Sequence, residues 1–203
     1  MTYAHLVHRK YGYVPLKTCS LLSIELEVLY ESSVDFENLR IHGFNTNAET
    51  MAQGLLNYLE RLVGPIYLDL VKDLWVNATV TPTAIISFVL GHEIVVTEQL
   101  IRKLYNLDDE EGSTGALPGI FDWTAVEKEI STVVGVVSHQ TGSLKPFYKV
   151  WAEIILGSLY HRKRSFTSTY IDPNQEYVLF CISKGIEVNI SNILFQHLKT
   201  NIE

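Results

Sequence analysis

From Asn47 onward the apolar residues fall into the three-and-four spacing of helices. Met51, Leu55, Leu56, Leu59 and Leu62 line one face, with Thr46 or Asn47 placed to cap it and Gly64-Pro65 to stop it. Pro65 suits the first turn of a second helix. There Ile66, Leu70 and Leu74 stack beside Tyr67, Val71 and Trp75, and Asp69, Lys72 and Asp73 face outward. The period then changes. "TPTAIISFVLGHEIVVT" is β-branched and aromatic, which predicts a short hairpin with strands near 84–90 and 93–96, turning at Gly91-His92. Thr97 stands where a helix cap belongs, before Leu100, Ile101, Leu104 and Leu107 on one face.

The second half repeats the helical grammar. Asp122 can cap a helix at "WTAVEKEIST", and residues 133–143 fit a loop or short strand. "KPFYKVWAEIILGSLYHRK" places Phe147, Trp151, Ile154, Ile155 and Leu159 inward. "DPNQEYVLFCISKG" opens with Asp-Pro and closes at Gly185, which bounds a helix of about three turns. Asn189 caps the last helix, where Ile190, Ile193, Leu194, His197 and Leu198 share a side. Residues 21–30 fit a strand or a short helix, and 35–45 read as irregular chain. The expected fold is α+β and mainly α: a bundle of about six to seven helices with one short β-hairpin. Trp75, Trp151, Leu104, Ile154 and Leu194 are expected in its core.

Composition sets the scale. A chain of 203 residues, 47% apolar and 19% charged, can bury roughly 70% of its unfolded surface in one core. Residues 108–119, acidic and then rich in Gly, Ser and Pro, read as a surface loop inside one domain. Two cysteines, Cys19 and Cys181, make no disulfide framework, which points to a reducing compartment. No apolar run reaches the length of a membrane span, and the N-terminus has no apolar block of the kind a signal peptide carries. The expectation is an intracellular protein, cytoplasmic or nuclear.

Net charge is −7, the wrong sign for a chain that wraps nucleic acid. Charge is nevertheless uneven. Residues 1–24 hold Arg9, Lys10 and Lys17 and no carboxylate, so this stretch is either a solvated arm or a phosphate contact. Arg162, Lys163 and Arg164, in "HRKRS", either complement the dipole of the helix before them or add to such a patch.

Catalytic patterns are sparse. His92-Glu93 could open a zinc-protease helix, but the position four residues on is Val96, not a second histidine. His5 and His8 lack the further ligands of a closed zinc site. The carboxylates Asp108 to Glu111 form a loop run, while a two-metal nuclease draws them from separate elements. No P-loop, nucleophile elbow or dinucleotide fingerprint occurs. No catalytic residue, metal ligand or cofactor is therefore assigned.

Four segments, in order, carry a family resemblance. They are "DFENLRIHGFN", "GPIYLDLVKDLWVNATV", "SFVLGHEIVVTEQLIRKLYNLDDEEG" and the C-terminal run "VWAEIILGSLYHRKRSFTSTYIDPNQEYVLFCISKGIEVNISNILFQHL". Together they resemble the plant transposon protein domain found in plant retrotransposon-associated, envelope-like open reading frames. The likeness covers about residues 35–203, while residues 1–34 match less well, as a foreign or truncated start would. It implies a non-enzymatic domain of mobile-element origin that acts through protein contacts, with an unidentified protein partner. It brings no catalytic residues. A nucleic-acid-binding accessory protein and a metal-dependent nuclease or transposase are the alternatives. The hairpin and capped helix also resemble the plant mobile domain, which implies a shared small fold and not a shared reaction.

Overall fold

A computed structural model describes Ile41, Tyr58, Leu59, Arg61 and residues 67–107, 122–133, 139–160, 170–186 and 188–203. Among these residues the chain is α+β and mainly helical. The elements run α1 (Leu68–Val76), β1 (Thr79–Val80), β2 (Ile85–Val89), β3 (His92–Val96), α2 (Glu98–Tyr105), α3 (Trp123–Ile130), a 3-10 turn (Thr141–Ser143), α4 (Pro146–Ser158), α5 (Pro173–Lys184) and α6 (Ile190–Ile202). The expected arm at 1–34, the segment 21–30 and the loop 108–119 lie outside the described residues. So does the expected helix after Asn47, apart from Tyr58 and Leu59, which are helical and buried, and Arg61.

Helix ends follow the sequence closely. Thr97 accepts a hydrogen bond from the Leu100 amide at 3.1 Å and so starts α2. Asp122 accepts from the amides of Thr124 and Ala125 and starts α3. Asp172 and Gln175 form a reciprocal capping box at α5, whose far end turns at Gly185 with φ 64°. Asn189 accepts from the Asn192 amide at 2.8 Å and starts α6.

The hairpin is present but differs in two ways. Its two-residue turn is Leu90-Gly91, not Gly91-His92, and His92 already pairs with Val89 as the first residue of β3. Both turn residues have positive φ, 51° and 80°, as a type I′ hairpin requires. The hairpin also has a third partner. β1 pairs antiparallel with β2, so the expected hairpin is extended into a three-stranded sheet ordered β1-β2-β3. Thr81 makes that return possible: its amide and hydroxyl both donate to the Ala84 carbonyl at 2.8 Å.

α1 lies on the sheet, where the Ser87 hydroxyl donates to the Leu74 carbonyl at 2.6 Å. None of its residues is fully buried, so Trp75 is half-buried and not in the core as expected. Asp73 does not face away from the protein either. It accepts from the Leu90 amide at 2.9 Å and from the Asn77 side chain at 2.9 Å, holding the hairpin turn against α1.

One apolar cluster joins the elements, with Ile85, Ile101, Val126, Ile130, Leu144, Trp151, Ile155, Leu179, Ile193 and Leu194 among its buried members. Trp151 and Leu194 take their expected places, and Ile154 packs partly buried against the cluster. Leu104 is 60% exposed, against expectation. The side of α2 that meets α6 centres on Glu98, Ile101 and Tyr105. At about 100° per residue, Leu104 lies roughly a quarter turn away from that side.

Candidate binding cleft

A cleft of about 320 Å³ opens where α3, α5 and the segment between α3 and α4 meet. It is lined by Trp123 and Glu127 of α3, by His139 and Ser143, and by Pro173 and Glu176 of α5, with Ile130, Val133 and Leu144 as apolar wall.

Local structure builds this wall. Just past the end of α3, Ser131 pairs in an isolated bridge with Leu144. The Lys145 amide donates to the Ile130 carbonyl at 2.9 Å, and the Thr132 amide to the Ser143 carbonyl at 2.8 Å. The Lys145 ammonium donates to the Lys128 and Glu129 carbonyls at 2.7 and 2.5 Å, closing the C-terminal end of α3. On the other side, the Ile171 amide donates to the His139 carbonyl at 2.9 Å just before α5 begins. That bond places the His139 ring beside the first turn of α5. Its Nδ1 lies 3.1 Å from Glu176 Oε2, and its ring meets the Tyr170 ring edge-on at 5.9 Å.

Glu176 is 8% exposed. Burial pushes its pKa up, the neighbouring His139 pulls it back, and the charges of Glu127 and Asp172 push it up again. With Glu176 ionised, an Nδ1–H of His139 donates to it.

The serine hydroxyls on the wall donate to backbone carbonyls. The Ser131 hydroxyl donates to the Ser143 carbonyl at 3.1 Å, and the Ser143 hydroxyl to the Gln140 carbonyl at 2.6 Å. The Val133 amide donates to Ser131 Oγ at 3.2 Å, and the Ser143 and Leu144 amides donate within the 3-10 turn. Each hydroxyl's proton is thus directed at a carbonyl and not at His139, which is not the geometry of a base-activated serine.

Sequence reasoning missed this pair. His139 and Glu176 are 37 positions apart and share no ligand or catalytic spacing. The one local hint is the Asp-Pro start of α5, which fixes where the first helical turn places Glu176. The residues singled out for phosphate contact, Arg9, Lys10, Lys17, Arg162, Lys163 and Arg164, lie outside the described residues, as do His5, His8 and Asp108 to Glu111. His92 and Glu93 are exposed neighbours on β3, so their side chains point to opposite faces of the sheet and do not converge. His197 is half-buried, with its ring edge-on to Tyr160 at 6.0 Å.

Among the described residues, no group of three or more His, Cys, Asp or Glu could hold a metal ion, and no helix is long and apolar enough to cross a membrane. The fold and cleft define a mainly helical α+β protein with a recess between α3 and α5. No protein-family model matches the chain, and no curated protein or solved structure matches it.

Proposed function

We propose that the chain is a non-enzymatic module derived from a plant retrotransposon, that it acts inside the cell through protein contacts, and that the cleft between α3 and α5 makes them. The supporting observation is the recess itself. It sets polar acceptors among apolar walls, on helices whose ends are capped, while its serine hydroxyls are bound to carbonyls. The mobile-element origin rests on the four ordered segments that resemble the plant transposon protein domain.

A peptide-display selection on the folded chain tests the reading. Peptides should be enriched that lose at least ten-fold in affinity on Val133→Asp, a change at an exposed residue of the cleft wall. Peptides that bind this variant as well as the parent would overturn the assignment of the cleft. The alternative, a nucleic-acid accessory protein, predicts binding to DNA or RNA with a log-log salt slope of several units.

A further inference from the structure

We propose that the outer edge of β3 is a second contact surface, which takes an extended strand of a partner protein with a basic residue opposite Glu93 and an apolar one opposite Val95. This goes beyond the cleft reading and stands without it. The register of the hairpin carries it. Val89 and His92 flank the two-residue turn as a hydrogen-bonded pair, so Ser87–Ile94 and Ile85–Val96 are bonded pairs as well. Glu93 and Val95 fall between them. Their N–H and C=O groups point away from β2, along the outer side of the sheet ordered β1-β2-β3. Among the described residues no hydrogen bond reaches these four groups.

The edge lacks most of the features that keep strands apart. The pairing of β2 with β3 is continuous, with no bulge, and β3 holds no proline and no lysine. The two faces of the sheet also differ. Ile85 and Ser87 are buried, and the Ser87 hydroxyl is bonded to α1. Ile86, Phe88, Glu93 and Val95 point the other way. On that face Ile86 and Phe88 are half-buried, Glu93 is exposed and Val95 is 42% exposed. A strand added at the edge lays its alternate side chains beside this face, while its backbone pairs with Glu93 and Val95.

Charge selects the occupant. Among the described residues Glu93 forms no ion pair. A second copy of the chain presents the same edge, and a twofold axis at Ile94 sets Glu93 opposite Val95 of that copy. But β3 holds no lysine or arginine, so β3–β3 pairing leaves both Glu93 carboxylates on one face without a cation. A five-residue edge also offers little of the roughly 800 Å² per partner that a stable globular pair buries. An extended segment with a lysine or arginine opposite Glu93 satisfies the backbone groups and the charge together.

The test is an NMR titration of the full chain with a capped heptapeptide, Thr-Ser-Val-Thr-Lys-Ser-Thr. In antiparallel pairing its valine and lysine stand opposite Val95 and Glu93. The Glu93 and Val95 amide signals should shift saturably. Replacing the peptide lysine with glutamate should weaken binding by about five-fold. N-methylating the valine and the lysine, which removes the two amides that face β3, should weaken it by about ten-fold or more. Glu93→Lys, an exposed change, should reverse the preference and favour the glutamate peptide. Absence of any shift, an N-methylated peptide that binds like the parent, or an unchanged preference in Glu93→Lys overturns the inference. Shifts at Trp123 and His139 in place of Glu93 and Val95 would overturn it and leave the cleft reading standing. Binding at β3 with no peptide selected at the cleft would do the reverse. A chain that sediments as a dimer, with its Glu93 and Val95 amides protected from exchange, would make a second copy the occupant and overturn the inference as well.

Discussion

Two helix junctions in this protein are built around glutamates, and they differ in how much of each carboxylate is used. At the α2–α6 junction Glu98 is fully engaged. Its Oε1 accepts from Asn189 at 3.0 Å and from Arg102 at 3.4 Å, and its Oε2 accepts from Asn192 at 2.8 Å. Both helices direct their N-terminal ends at this carboxylate, where their dipoles favour negative charge. At the α3–α5 junction the work is divided. Glu129 accepts from Tyr148 at 2.6 Å and pairs with Lys184, while Glu176 holds His139 beside an open recess. The first junction is a lock. The second is locked at Glu129, while Glu176 and His139 pair on the wall of the recess.

Perturbations can separate these roles. The largest effect should come from beneath both junctions: Leu179 is fully buried in the shared core, and Leu179→Ala should cost about 2–5 kcal/mol in urea unfolding. Glu98→Ala leaves the side-chain amides of Asn189 and Asn192 short of an acceptor and should cost about 1–3 kcal/mol. An unchanged urea midpoint would mean that the α2–α6 lock carries no stability. Thr97→Ala removes only the cap of α2 and should cost about 1 kcal/mol, seen as a lower melting temperature.

The smallest and most discriminating effect is a difference of sign with pH. Hydrogen bonds from Lys184 and Tyr148 hold the Glu129 pKa below its ordinary value of 4.5. Its contribution is therefore present above that value and lost as pH falls through the lowered folded value. Glu176 is the opposite case. Its raised pKa means that the carboxylate costs stability above the raised value, and acidification removes that cost. Glu129→Gln should thus destabilise at pH 7 by under about 1 kcal/mol, and Glu176→Gln should stabilise. Both differences should shrink toward zero at a pH well below the carboxylate range. Urea midpoints at the two pH values check this, and equal signs at pH 7 would refute the contrast.

The caps and stops of this fold were legible because each is a local event. Thr97, Asp122, Asp172, Gly185 and Asn189 act on backbone groups within a few residues. What the sequence hid depends on tertiary placement. Leu104 matches the apolar spacing of α2, yet α6 docks on the side led by Glu98 and Ile101. Trp75 lies on a helix none of whose residues is fully buried. β1 is two residues long, too short to carry a period of its own. The cleft was the least legible part, since its defining pair is joined by a backbone bond from Ile171 to His139 that no residue pattern announces.

The hairpin turn has a further consequence, for the order in which the chain assembles. A leucine at φ 51° occupies a position that glycine or asparagine takes more readily, so Leu90-Gly91 is a poor nucleus. An isolated two-stranded hairpin is marginal in water even with a favourable turn. Here the turn amide is held by Asp73 from α1, and the second strand runs straight into the cap of α2. The hairpin should therefore close late, after α1 has formed, with helical signal rising before the sheet registers.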